Sequence, residues 1–484
     1  MDAPFFSDDD QLADLLNQAR DFILDFRDDS ERPAGSTRTE FPAPYLADVG
    51  AGAQDALSVF KEQWSPYLVA SPSDRYLGYV TGGTTPAALV GDILTAGLDQ
   101  NPQDVAGFGD VSAAIEHATI GLLLDLFGLP REFFHGGFVT GATMSNFTGL
   151  AVARQWAGKR QGYDVAADGL QGPITVLTAV PHSSATKALS LLGLGKKNIT
   201  FVATLPDREA MDVADLRQKL DALPPGQPAI VIASGGTVNT VDFDDLAAID
   251  ELRDEYDFWL HVDAAFGGFA ALHPEYAHLL GYWEEADSIC VDNHKWLNVP
   301  YDSGCWFVRQ EHLPLQITTF QNTNAAYLGE PEDHFSYLNA GPENSRRLRA
   351  LPAWFTLTAY GREGYEDIVR RCIDTAQSLG LALDMHSDWE LLAPVHLNVV
   401  AFRPKGANAD TVDRLSRVLN ARGKYFLTPT TLHGQRGLRA AFVNWQAEVR
   451  QVPELVAELN TALNEAFQAE RTPPGTSGRA HKLR

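Results

Sequence analysis

Lys295 stands in the run Asp287-Ser288-Ile289-Cys290-Val291-Asp292-Asn293-His294-Lys295-Trp296-Leu297-Asn298, between an apolar, strand-like stretch and a Pro/Gly turn. Burial lowers the pKa of a lysine and makes its amine a usable nucleophile. The chemistry such an amine serves most often is a Schiff base with an aldehyde cofactor. His294-Lys295-Trp296 taken alone fits equally well a lysine that anchors a surface turn.

Three other stretches put polar groups at the ends of apolar runs. Gly141-Ala142-Thr143-Met144-Ser145-Asn146 follows a short strand and opens a helix. Free backbone N–H groups and the helix dipole suit a phosphate there, with the Thr143 and Ser145 hydroxyls assisting. An ordinary Ser/Asn helix cap is the other reading. His261-Val262-Asp263-Ala264-Ala265 ends a strand with an acid followed by small residues. A buried carboxylate needs a cationic partner. A protonated pyridine nitrogen would supply one, and the alanines leave room for a flat ring; a helix-capping aspartate is the alternative. Pro181-His182-Ser183-Ser184 puts an imidazole after another strand, where it could lie over a ring face or simply bond within its loop.

The elements that position these groups read as an α/β fold. Apolar, β-rich runs occur at 137–140, 174–180, 199–203, 229–233, 258–263, 287–292 and 304–309. Most are continuous rather than alternating, as in strands buried on both faces of a mostly parallel sheet. Helices are expected between them at 145–160, 184–193, 212–222 and 244–256. Ligands of such sheets bind at the carboxyl ends of the strands, where the polar stretches fall. Ahead of this region lie a strongly apolar helix at 111–128 and an N-terminal arm with amphipathic helices at 8–28 and 51–63. The arm has little core of its own and must pack on something else. Long helices over 344–384 lead to a small α+β unit. Its strands are expected at 396–402, 424–427 and 437–443, with helices at 409–422 and 452–468. The resulting division is an arm (1–75), a large domain (76–370), a small domain (371–470) and a disordered tail (471–484).

Composition narrows the partners. The 484 residues are 45% hydrophobic, enough for a large core, and carry a net charge of −25. So acidic a surface argues against nucleic acid and anionic membranes. Cys290, Cys305 and Cys372 form no CxxC pair or even framework, which suits reduced thiols in the cytoplasm. No apolar run approaches a membrane span, and the acidic Met1-Asp2-Ala3-Pro4 start lacks a secretory n-region. No metal-ligand spacing is evident.

In order and spacing, the motifs GATMSN, HSSATKA, HVDAAFGG, DNHKWLNVPYDSG and ENSRRLRALPAWFTLTAYG resemble the group II pyridoxal-phosphate-dependent amino-acid decarboxylases, the family of aromatic L-amino-acid and glutamate decarboxylases. The resemblance runs from about residue 8 to about 450. It implies fold type I, with a seven-stranded sheet, and pyridoxal 5'-phosphate as cofactor. Lys295 would carry the cofactor, Asp263 would pair with its ring nitrogen and His182 would stack on the ring. Ala265 would pack on the opposite face. Thr143, Met144 (through its backbone), Ser145 and His294 would hold the phosphate.

Family members also carry a catalytic tyrosine on a mobile loop before the Arg-Arg pair. Tyr337, upstream of Arg346, fits that position, with Tyr327 also in the region; aldehyde-forming relatives often have phenylalanine there. The expected reaction is decarboxylation of an L-amino acid, with an aromatic or hydrophobic substrate favoured. An acidic substrate (glutamate or cysteine sulfinate), an aldehyde synthase and a catalytically silent cofactor-binding homologue are the alternatives. A homodimer with shared active sites is implied. Three departures stand out: Tyr79-Val80-Thr81-Gly82-Gly83, where family members place substrate-pocket residues, is small and polar rather than aromatic-lined; Asp292, near the phosphate, is often Asn in the family; and Met144 is bulkier than the usual small residue.

Overall fold

A computed structural model describes residues 4–36, 40, 43, 46–103, 111–321 and 335–471. All seven apolar runs form strands of one sheet: β1 (Phe134–Val139), β2 (Thr175–Thr178), β3 (Ile199–Phe201), β4 (Ala229–Ser234), β5 (Phe258–Asp263), β6 (Ser288–Val291) and β7 (Gly304–Arg309). Their order is β1-β7-β6-β5-β4-β2-β3. The pairings among β3, β2, β4, β5 and β6 are parallel, while β7 runs antiparallel to both β1 and β6. Every residue of β1, β5 and β6 is buried, as their unalternated apolar runs require.

Helices cover both faces. Ala142–Arg160 packs over β6 and β7, with Leu150, Ala151, Val152 and Ala153 in a core that holds Trp259 and Trp306. On the other face, Ser112–Phe127 brings Phe127 edge-on to Phe269, Trp283 and Phe307. Aromatic contacts of this geometry add to plain burial.

The boundary expected at 370 falls inside a single helix, Ala350–Asp384, interrupted at Gly361, whose φ of 59° a side chain would resist. The small unit is a four-stranded antiparallel sheet ordered β10-β11-β9-β8, from β8 (Trp389–Leu391), β9 (Val399–Pro404), β10 (Thr428–Leu432) and β11 (Gln435–Ala441). β8 escapes the sequence pattern because three residues give too short a period, and the strand expected at 424–427 forms a few residues later. Residues 76–77 join this unit: Leu77 N–H donates to Phe426 O, and Ala441 N–H to Leu77 O. The amphipathic helix Leu12–Asp28 buries no residue, leaving Leu12, Leu16 and Leu24 exposed. No helix among the described residues is long and apolar enough to cross a membrane. Residues 472–484 of the tail and Tyr327 lie outside the described residues.

Candidate active site

A cavity of about 440 Å³ opens at the carboxyl ends of the parallel strands. Five strand ends contribute: Thr143 after β1, His182 after β2, Thr237 after β4, Asp263 and Ala265 at β5, Lys295 after β6. Such a volume is within the range of small-molecule sites.

Lys295 is the third residue of a one-turn helix, Asn293–Trp296, that Asp292 begins. Two clamps hold this turn. Gly82 N–H donates to His294 O at 3.3 Å, and a Cβ on Gly82 would lie 1.6 Å from Lys295 O, so glycine is obligatory at that approach. Asn298, at φ 56°, donates through Nδ2 to Trp296 O and Val443 O and accepts Trp445 N–H. It thereby sews the lysine turn to the small unit; asparagine tolerates that backbone region better than most residues. The amine lies 3.4 Å from Asp292 Oδ2 and 5.6 Å from the Phe266 ring centroid. Tyr79 and Val80, also on the cavity wall, are both left-handed at φ 58° and 59°. A β-branched residue there is strained and held by its surroundings.

Asp263 ends a directed hydrogen-bond chain. Trp259 Nε1–H donates to Ser288 Oγ (2.9 Å), which donates to His261 Nδ1 (2.7 Å). His261 Nε2–H donates to Asn146 Oδ1 (2.7 Å), and Asn146 Nδ2 donates to Asp263 Oδ2 (3.0 Å) and to Ser184 Oγ (3.1 Å). Ser184 Oγ then donates to His182 Nδ1 (2.8 Å), which also accepts Ser184 N–H. Each donor has one acceptor role downstream, so both histidines are neutral and carry their proton on Nε2. Burial agrees: it holds the His261 pKa down at about 4 and pulls His182 below the usual 6.5 against the opposing pull of Asp263. The amide of Asn146 orients the Asp263 carboxylate and, through Ser184, the His182 imidazole. Sequence reading saw Asn146 within its motif and gave it no role; a buried amide after a Gly-rich turn was the available signal.

The anion cradle lies earlier than expected. The amides of Met144 and Ser145 both bond to Gly141 O, and Ser145 Oγ donates to Cys305 O at 2.7 Å. Ser145 is fully buried and the Met144 side chain packs toward the Trp156 core, so neither faces the cavity. Met144 and Ser145 are therefore corrected as phosphate ligands, because the first turn of their helix consumes their donors. Gly141, Ala142 and Thr143, ahead of the first intrahelical bonds, line the cavity instead. His294 also lines it, but Nε2 faces Asp292 Oδ1 at 3.2 Å, Nδ1 accepts Ser303 N–H at 3.4 Å, and the ring lies against Tyr301. Nδ1 is thus taken by the loop, while the approach of Nε2 to Asp292 Oδ1 is not a hydrogen bond of good geometry.

Arg439, on β11, was missed: an arginine inside an apolar strand was its signal. It is 9% exposed, reaches the cavity, donates to Val238 O at 2.7 Å and leaves Nε unpartnered. A buried cation with a spare donor suits a carboxylate.

Tyr337 is not at this chain's cavity. It is 2% exposed in a small separate pocket, with its ring 4.7 Å from the Arg346 guanidinium carbon and its hydroxyl unpartnered. Arg346 pairs with the fully buried Glu116 at 2.8 Å. Burial pushes the phenol well above its usual pKa of 10.

The cavity fits pyridoxal phosphate: a lysine amine, a fixed carboxylate, an imidazole, a small-residue floor at Ala265 and an amide cradle that Cβ atoms would fill at Gly141, 2.9 Å from His294 Cε1. Fold and site together define a fold-type-I pyridoxal-phosphate enzyme. The profile of the pyridoxal-dependent decarboxylase conserved domain matches residues 54–405. An aromatic-L-amino-acid decarboxylase of Bacillus atrophaeus is 27% identical over 402 residues, 81% of each chain. A phenylacetaldehyde synthase of a Rosa hybrid cultivar is 26% identical over 417 residues, 80% of each. The crystal structure of Oryza sativa TDC with PLP and tryptamine shares the fold, with a TM-score of 0.85 over 94% of this chain and 98% of that one, at 22% identity. The chain belongs to the pyridoxal-dependent decarboxylases, and pyridoxal 5'-phosphate is its cofactor.

Proposed function

We propose that this enzyme converts an L-amino acid, with an aromatic or hydrophobic side chain preferred, to its amine and carbon dioxide. The observation that carries the reading is the cavity itself, where the Lys295 amine and the Asn146-fixed Asp263 carboxylate share one wall of strand ends. The names of the relatives support the aromatic choice.

Lys295 would hold the cofactor covalently. Asp263 would face its ring nitrogen, His182 and Ala265 its two faces, and Gly141, Ala142 and Thr143 its phosphate. When bound, the cofactor supplies an electron sink for the pair left by the departing carboxylate. Asp263, kept in place by Asn146, stabilises positive charge on the ring nitrogen. Arg439 holds and orients the substrate carboxylate, and Tyr79, Val80 and Phe266 exclude water from the reacting bond. Tyr337 returns a proton to Cα; its raised pKa keeps the phenol protonated at working pH.

Since Tyr337 stands away from its own chain's cavity, it serves the neighbouring site of a homodimer in the cytoplasm. The unburied apolar side of Leu12–Asp28 supports such a second copy. Mixing Lys295→Ala with Tyr337→Phe subunits should recover activity that neither variant has. Continued silence of the mixed, dimeric sample would exclude the shared site.

The defining test is amine and carbon dioxide release from the standard L-amino acids, with aldehyde and peroxide assayed in parallel. Tryptophan, tyrosine or phenylalanine should give amine. Arg439 favours a second reading, because a buried guanidinium would equally hold an acidic side chain. Preferential turnover of glutamate or cysteine sulfinate would establish that reading instead.

A further inference from the structure

Asp292 takes no part in the chemistry above, yet its carboxylate is buried at the anion cradle. Oδ2 lies 3.4 Å from Lys295 Nζ, and Oδ1 lies 3.2 Å from His294 Nε2. Oδ1 is 3.5 Å from where a side chain on Gly141 would begin, and it makes no hydrogen bond of good geometry. The amide of Ala142, at the start of the Ala142–Arg160 helix, also faces this carboxylate. An anionic side chain therefore already stands at the helix end that must receive a phosphate. His294 Nδ1 is taken up by the Ser303 N–H. Lys295 is the cation that balances Asp292, and it is also the residue that must turn to the cofactor.

We propose that Asp292 is a proton-holding residue for cofactor loading: as Lys295 turns away and phosphate enters the cradle, Asp292 takes one proton from solvent and remains a neutral carboxyl group beside the phosphate. The inference rests on reading the cavity as the pyridoxal phosphate site. Two anions this close, shielded from water, cannot both persist. Burial pushes Asp292 upward, and Lys295, His294 and the Ala142 amide together overcome it in the cofactor-free chain. Withdrawing the lysine charge and adding a phosphate leaves burial unopposed.

The other groups facing this point keep their state. Cys290 and Cys305 are driven up by burial, as is Tyr301. His182 and Asp263 are tied into the Asn146 network, and Arg439 stays a cation. A group whose pKa rises on loading strengthens binding below that pKa, and the gain is lost as pH rises through it, by up to about tenfold per pH unit.

The test is pyridoxal phosphate binding to full-length apoenzyme between about pH 6.5 and 8.5, by equilibrium dialysis and by calorimetry in buffers of different ionisation enthalpy. Wild type should take up a proton and bind more weakly as pH rises. Asp292→Asn should lose that uptake and bind more tightly than wild type at the alkaline end. Pyridoxal, which lacks the phosphate, should show no such gain. Asp292→Ser serves as a second small, neutral variant should the first fail to fold. Equal proton uptake in wild type and variants would overturn the proposal. So would an equal gain with pyridoxal, which would make Asp292 a partner of Lys295 alone. Absence of any borohydride-fixed adduct at Lys295 in wild type would instead sink the cofactor reading itself, and this inference with it.

Discussion

Asn146 joins the Asp263 carboxylate to the His182 imidazole through Ser184, so it is the residue whose loss should spread furthest. Asn146→Ala leaves Asp263 and His261 short of a partner in the protein interior. Each orphaned group costs about 1–3 kcal/mol, to be read as a lower urea midpoint of the apoenzyme, together with weaker cofactor retention. Tyr337→Phe changes no buried hydrogen bond, since its hydroxyl has none in this chain. Stability should hold while amine formation falls by about 10²- to 10⁴-fold, the usual worth of a positioned proton donor. Amine output unchanged in that variant would remove Tyr337 from the reaction.

At the scale of elements, the lysine turn depends on a close approach made by a distant segment. Gly82→Ala drives a methyl group into Lys295 O and must displace either the 81–85 segment or the turn. Cofactor absorbance should be lost or shifted even where the folded fraction, followed by circular dichroism, is unchanged. The Glu116–Arg346 pair plays the matching part for the segment that carries Tyr337. It joins the Ser112–Phe127 helix to the chain just before Ala350–Asp384, and Glu116 also accepts Phe138 N–H. Glu116→Gln strands a buried guanidinium and should cost about 3–5 kcal/mol, measured by denaturant unfolding. The neutral pair contributes less than that figure suggests, because its formation already carries a desolvation cost.

For the molecule as a whole, pH should act through buried histidines. Burial holds both His261 and His135 at about 4, below the unfolded value of 6.5. Between those limits the unfolded chain binds more protons, so stability is complete above about pH 6.5 and drains away as pH falls toward 4. Each group accounts for on the order of 3 kcal/mol at most. Asp244 works the other way: burial raises it to about 6, so it favours the folded state below the usual carboxylate range and loses that contribution as pH rises through 6. Two histidines against one carboxyl leave a net loss in acid. The Tm of the apoenzyme should fall from pH 6.5 to 4, and less steeply in His135→Asn; a flat profile would contradict the burial of these rings.

The sheet was legible in the sequence because strands buried on both faces must be continuously apolar, and most of the seven runs announced themselves that way. Lys295, Asp263 and His182 were legible for a related reason: a polar residue that interrupts or ends such a run has nowhere to go but the crevice at the strand ends. Periodicity says nothing of which donors a first helical turn consumes, so Met144 and Ser145 looked like phosphate ligands until Gly141 O and Cys305 O were seen to hold them. Nor could it bring Arg439 from the small sheet to the cavity, set Asn146 between His261 and Asp263, or turn Asp292 toward the cradle. Those contacts join residues far apart along the chain, and their direction depends on how strands order and helices pack. The sequence alone determined which chemical groups are present and which strands carry them. Tertiary packing alone decided which of those groups still have a free donor, acceptor or charge to offer a ligand.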